Sequence, residues 1–391
     1  MPIGNSDAQG ELVGPHQTFT ARDLDGGKLA SYLERLPGLA IAVVGDFFLD
    51  KYLVIDRSLS EVSIETGLEA YQVVARRCSP GAAGTVTSNL RALGIGRVYA
   101  VGLVGDDGEG YELRQGLSRA GVCLDYLLCR DDCYTPTYTK PLVREADGAE
   151  REIQRLDVKN RRPLPRDVEA EIVGRLEECV ARVDGVMVCD QVQERNLGVV
   201  TDRVRARLGE LAATYPRKVF SVDSRTRIGE YRRLTLKPNR SEAVRALDSQ
   251  HDGPVDLAGA RECGLELSRR AERPVYVTLG EEGILLCVAD AAAETERGGS
   301  RRAVHVPGVR VQGEIDPVGA GDSAAAGIVS ALCAGASLEE AAVVGNLVAS
   351  ITIQQLGTTG TASPAQVLAR FRELVGAQRH PLSAAGEGAG G

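Results

Sequence analysis

The eight residues Asp316-Pro317-Val318-Gly319-Ala320-Gly321-Asp322-Ser323 could do chemistry together. Gly319, Ala320 and Gly321 carry little or no side chain, so their backbone N–H groups can close on an anion. The alanine-rich segment Ala324 to Ala334 that follows suits a helix, whose start adds partial positive charge at the same place. A carboxylate at Asp322 would repel a bound phosphate, so it does not serve affinity. It suits a general base that takes a proton from an alcohol while the turn stabilises charge on a transferring phosphoryl group. Taken alone, the same residues also read as a glycine-rich bend capped by Asp322.

The elements that must position this turn are those of an α/β protein with a doubly wound, mostly parallel sheet. Leu39 to Val44 is a continuous apolar run, as expected of a strand buried on both faces. It ends in Gly45-Asp46-Phe47-Phe48-Leu49-Asp50, which places Asp46 and Asp50 beyond a strand's carboxyl end, where open α/β sheets bind ligands. Strand and helix patterns alternate from Val183 to Val288. Two excursions interrupt them, over about 51–78 and 134–156, with short alternating segments that read as antiparallel pairs. The second pair turns at Glu145-Ala146-Asp147-Gly148. Together they suggest a small β-sheet lid, of use because water competes with an alcohol for the phosphoryl group. Residues 1–37 read as an N-terminal extension, 38–375 as the main domain and 376–391 as a disordered tail.

The chain has 391 residues, 43% of them apolar and 26% charged, which is ordinary for a globular protein. A net charge of −8 argues against a nucleic-acid or membrane surface and points to a small-molecule ligand. The nine cysteines read as reduced thiols of a cytoplasmic protein; the spacing of Cys123, Cys129 and Cys133 matches no zinc pattern.

Several motifs occur in one order: Gly45-Asp46-x-x-Leu49-Asp50, Pro80-Gly81-Ala82-Ala83, Lys237-Pro238-Asn239-x-x-Glu242, Thr278-Leu279-Gly280-x-x-Gly283, and Asp316 to Asp322. This set resembles the ribokinase/PfkB family of carbohydrate kinases over about residues 38–375. Within the family it is similar to the heptose 7-phosphate kinases, through Gly45 to Tyr52, Ser63 to Gly67, Arg155-Leu156-Asp157 and Gln355 to Thr359. The resemblance implies an ATP- and Mg2+-dependent sugar or sugar-phosphate kinase. Asp322 would be its base, Gly319, Ala320 and Gly321 its anion hole, and Asp50, Asp46, Gly81 and Thr85 its acceptor site. Asn239 and Glu242 would organise Mg2+ through water, with Thr278, Gly280, Gly283 and Asn346 beside the nucleotide. K+ is a further candidate ligand, and a homodimer through lid strands a candidate assembly. Arg76, Arg77, Arg144 and Arg155 could grip a phosphate on the acceptor, although each alone reads as a solvated lid residue. Two departures bear on the substrate: Gly84-Thr85 stands where the family has Ala-Asn, and Pro317 where it has Thr. The alternatives are another sugar, a nucleoside, or a weakly catalytic sugar- or nucleotide-binding regulator.

Overall fold

The computed structural model describes residues 17–145, 148–289, 301–357 and 359–377. The start of the expected extension, Ala146 and Asp147 of the lid turn, Thr358, and the tail past Ala377 lie outside the described residues. The chain enters through β1 (Gln17–Thr18) and α1 (Gly26–Arg35), the latter capped by Asp25, whose carboxylate accepts the Lys28 N–H at 2.9 Å. Leu24, Leu29, Tyr32, Leu33 and Leu36 from this stretch are buried, so the part of the expected extension that is described packs into the main core.

The apolar run becomes β2 (Ala40–Gly45). Its Ile41 and Val43 face one hydrophobic cluster while Ala42 and Val44 face another, the two-sided burial that a continuous apolar strand implies. After Asp46 the chain runs straight into β3 (Phe47–Val62), returns in β4 (Glu69–Ala82) and enters α2 (Ala83–Ala92). Next come β5 (Arg97–Gly105), α3 (Gly108–Arg119) and β6 (Val122–Arg130), then the second excursion: β7 (Thr137–Arg144), β8 (Glu150–Glu152) and β9 (Leu156–Val158).

The alternating half follows: α4 (Arg166–Ala181), β10 (Gly185–Asp190), α5 (Asp202–Thr214), β11 (Val219–Ser224), β12 (Thr235–Leu236), α6 (Arg240–Arg245), α7 (Leu257–Ala271) and β13 (Val275–Thr278). The chain closes with β14 (Gly283–Ala289), β15 (Arg301–Pro307), α8 (Ala320–Cys333), α9 (Leu338–Thr352) and α10 (Pro364–Ala377).

Among the described residues the main sheet has the order β1-β15-β14-β13-β12-β11-β10-β2-β5-β6, and only β14 runs against its neighbours. Helices α1, α2, α8, α9 and α10 bury their apolar faces on one side of it; α4, α5 and α7 cover the other. The lid is a separate sheet, β4-β3-β7-β8, with β9 also on β7. Both expected antiparallel pairs are present, and a parallel pairing of β3 with β7 joins them. No helix among the described residues is long and apolar enough to cross a membrane.

Candidate active site

At the head of α8 the small-residue turn is held by Asp316. Its carboxylate accepts the N–H of Val318 at 3.0 Å and of Gly357 at 3.3 Å, and its own N–H donates to the Ile353 carbonyl at 2.8 Å. Gly319 takes φ +78°, where a side chain is disfavoured, and a Cβ there would also stand 2.8 Å from Thr359. Among the described residues the N–H groups of Gly321 and Asp322 have no acceptor, as expected in the first turn of a helix. They are free to serve an anion. Asp322 is half-buried there. Burial, and next the neighbouring Asp223, push its carboxyl up to about 7, while Lys237 and Arg225 pull the other way.

Lys237 and Asp223 were not singled out as site residues from sequence. Val222 and Leu236 are partners in the parallel β11–β12 pair, so the next positions along the two strands fall side by side. There the Lys237 Nζ meets the Asp223 carboxylate at 2.8 Å with the lysine almost fully buried. A Cβ on Gly321 would lie 3.7 Å from that ammonium, which places the cation against the anion turn.

Asn239 and Glu242 form a capping box at the start of α6. The Asn239 side chain accepts the Glu242 N–H at 2.8 Å, and the Glu242 carboxylate accepts the Asn239 N–H at 2.8 Å. Burial and Asp223 raise the Glu242 carboxyl. Asn239 also bridges to Thr278, so these two expected nucleotide-side residues adjoin. Gly280, at φ +67°, has open space where a Cβ would be. Gly283 does not: a Cβ there would stand 2.2 Å from the Val306 carbonyl, so its size serves the approach of β15. Asn346 donates to the carbonyls of Val306 and Pro307, each at 3.0 Å, and borders a cavity of about 320 Å³ with Thr20, Arg22, Val309 and Val343.

Of the expected acceptor residues, Asp50 and Gly81 meet at the root of the lid hairpin, where a Cβ on Gly81 would stand 2.3 Å from the Asp50 carboxylate. Asp50 pairs with Lys140 of β7 at 3.1 Å, a partner reached only through the β3–β7 pairing. Asp46 is placed differently. It is buried, and its two oxygens accept the backbone N–H groups of Gln191 (2.8 Å), Val192 (3.0 Å) and Val199 (2.8 Å). Burial and Asp190 still raise it to about 6. Asp46 thus organises the 191–199 loop. Thr85 is buried beside Gly319, and its hydroxyl donates to the Pro80 carbonyl at 3.4 Å.

Arg76, Arg77, Arg144 and Arg155 all lie in ion pairs with acids near or on the lid: Arg76 with Glu112 (3.1 Å), Arg77 (2.7 Å) and Arg144 (3.4 Å) with Glu150, and Arg155 with Asp157 (2.8 Å). Each is about half exposed.

The pfkB family carbohydrate kinase model matches residues 52–366. The bifunctional protein HldE of Azorhizobium caulinodans is 33% identical over 322 residues, covering 81% of this chain and 61% of the relative. HldE of Trichlorobacter lovleyi is 29% identical, covering 88% and 65%. The chain therefore spans about three-fifths of the length of the curated relatives it matches. Among solved structures, Arabidopsis thaliana ribokinase, complexed with ribose and ATP, aligns with a TM-score of 0.62 at 19% identity, covering 85% of this chain and 99% of that one. Escherichia coli phosphofructokinase-2, in complex with potassium, aligns at 0.60 and 18% identity, covering 86% and 99%. These two likenesses speak to the fold, which is ribokinase-like, and the family match speaks to the chemistry: the chain belongs to the pfkB family of carbohydrate kinases.

Proposed function

We propose that this kinase transfers the γ-phosphoryl group of ATP to a hydroxyl of a sugar or sugar phosphate, with the anomeric hydroxyl of heptose 7-phosphate the first candidate. The observation that carries the reading is Asp322: a carboxylate raised to about 7 beside unpaired N–H donors of a helix start. Asp322 takes the acceptor's proton as the new O–P bond forms; the bond from phosphorus to the bridging oxygen breaks, and its electron pair leaves with ADP. The N–H groups of Gly321 and Asp322, with Lys237, face the charge that develops. Asp50 and Gly81 hold the acceptor. The Asp46 carboxylate, engaged by three N–H groups, supports that site through the loop.

ATP and Mg2+ fit the donor set. Two unpaired helix-start N–H groups and a buried ammonium suit phosphate, and the open face of Gly280 leaves room beside the backbone. The Asn239 and Glu242 oxygens already serve each other's N–H groups, so they suit a hydrated ion held through its waters. Mg2+, when bound, neutralises charge on the donor phosphates. K+ enters on resemblance: Pro317 removes a backbone donor but keeps the turn's carbonyls. The lid exposes Val62, Ile64, Leu68 and Val73, an apolar surface that supports pairing of two lids in a homodimer.

The heptose reading rests on likeness to the heptose 7-phosphate kinases. The Thr85 hydroxyl, turned to the Pro80 carbonyl, instead favours a different sugar as the second reading. A screen of ATP consumption over sugars and sugar phosphates decides between them. Replacing Asp322→Asn should cut kcat by about 10²–10⁴-fold with ATP affinity within a few-fold. Unchanged turnover refutes the assignment of the base.

A further inference from the structure

Arg225 follows β11 in a loop whose backbone is fixed on both sides. Its own N–H donates to the Asp190 carbonyl at 3.1 Å, and two residues on, the Arg227 N–H donates to the Ser224 hydroxyl at 3.1 Å. Beneath the loop, Asp190 is buried and accepts from Arg227 (2.8 Å), Ser224 (2.7 Å) and Tyr231 (2.9 Å). On this rigid base the Arg225 side chain is exposed, and among the described residues no carboxylate lies within ion-pair distance of it. Arg76, Arg77, Arg144 and Arg155 of the lid and the neighbouring Arg227 each have one.

Arg225 lines a cleft with Phe48, Tyr138, Gln191 and Gln193, between the lid and the ends of β2 and β10. Arg225 lies two positions past Asp223, and Asp223 holds Lys237, whose ammonium would stand 3.7 Å from a Cβ on Gly321, so the strand end that carries Arg225 adjoins the turn at the head of α8. The Arg225 charge also opposes the upward push of burial at Asp322 and, across the cleft, at Tyr138 of β7. A cation at this strand end is thus beside the turn at the head of α8 and also faces the lid across the cleft. Lys237, which faces the turn, is held by Asp223 in a buried pair, whereas Arg225 has no such partner among the described residues and its side chain is exposed.

We propose that Arg225 is a further catalytic residue, its guanidinium engaging the oxygens of the phosphoryl group while that group is in transit. The proposal rests on the sugar-kinase reading above. A planar fork of donors matches the equatorial oxygens of the transferring group, and an unpaired arginine can turn to them without breaking an ion pair.

Two measurements on Arg225→Met and Arg225→Lys test this. In calorimetry, Mg-ADP alone should bind R225M as it binds the parent protein, within about threefold. Adding aluminium fluoride, which mimics the phosphoryl group in transit, should tighten ADP binding in the parent at least tenfold more than in R225M. In acceptor-dependent turnover, R225M should lose about 10²–10³-fold in kcat with the KM for ATP nearly unchanged, and R225K should recover part of it. An equal fluoride-dependent gain in parent and R225M overturns the proposal. So does a rise in acceptor KM with kcat intact, which would make Arg225 an acceptor-binding group. Absence of turnover by the parent protein with every sugar and sugar phosphate would instead count against the sugar-kinase reading, and the fluoride comparison would still judge Arg225.

Discussion

With Asp322 as the proposed base, activity should follow a titration curve that can be moved in either direction. Its carboxyl lies at about 7 because burial and Asp223 raise it more than Lys237 and Arg225 lower it, with Asp50 adding a further upward push. A general base works only when deprotonated, so kcat/KM should rise with pH and level off above neutrality. About one-tenth of the plateau should remain at pH 6 and about one-hundredth at pH 5. Asp223→Asn removes the charge that raises Asp322 and also releases Lys237 from its 2.8 Å partner. Both changes lower the Asp322 carboxyl, so the acid limb should move to lower pH by about one unit, or about 1.4 kcal/mol. Lys237→Met should move the limb the other way. It leaves Asp223 buried without its partner, at a cost of about 3–5 kcal/mol, so its profile is to be taken well below its melting temperature. The assay is kcat/KM for the acceptor from pH 5 to 9 at saturating Mg-ATP. A limb that is absent from this range, or that shifts the same way in both variants, refutes the assignment.

Three further outcomes are expected. Asp46→Ala orphans three backbone N–H groups and should destabilise the fold by about 3 kcal/mol, measured by denaturant unfolding; a loss below about 0.5 kcal/mol would show that the 191–199 loop does not depend on it. Gly81→Ala drives a methyl to 2.3 Å from the Asp50 carboxylate and should raise the KM for the acceptor about tenfold or more while sparing the KM for ATP, a split that steady-state kinetics reads directly. Glu242→Gln should raise the Mg2+ concentration for half-maximal rate by about 10–100-fold, and chelation should abolish ATP consumption in parent and variant alike; a parent active in excess EDTA would remove Mg2+ from the scheme.

Features carried by a short stretch of chain were legible before the fold. Asp46 and Asp50 stand at the end of an apolar run, and the Gly319–Asp322 turn announces itself by small residues ahead of a helix. Features that need two strands in register were not. Lys237 and Asp223 are 14 positions apart and meet only because β11 and β12 pair with Val222 beside Leu236. Lys140 reaches Asp50 only because β7 pairs parallel with β3, a partnership that two separate antiparallel excursions do not imply. The arginines near the lid show the reverse case. As cations near an acceptor site they resemble phosphate grips, but Glu112, Glu150 and Asp157 share their neighbourhood and pair with them. Asp46 carries a third lesson: beyond a strand end a carboxylate can face a ligand or bind its own loop, and only the three donors aimed at it tell which.

The lid hairpin has no loop at its base. β3 starts one residue after Asp46, and β4 ends at Ala82, whose φ of +52° leads directly into α2, where the Ala83 N–H donates to the Asp46 carbonyl at 3.1 Å. Both feet of the hairpin are therefore fastened to one point, and Asp50 and Gly81 lie just above it. With Asp50 and Gly81 as the proposed acceptor site, the lid is a lever whose fulcrum is that site. A sugar seated against Asp50 would push on the short arm, so a small displacement there would sweep the distant tip through a long arc. The same leverage runs backward: a load placed on the tip, by a second subunit or a crosslink, should be felt as a change in how tightly the sugar is held.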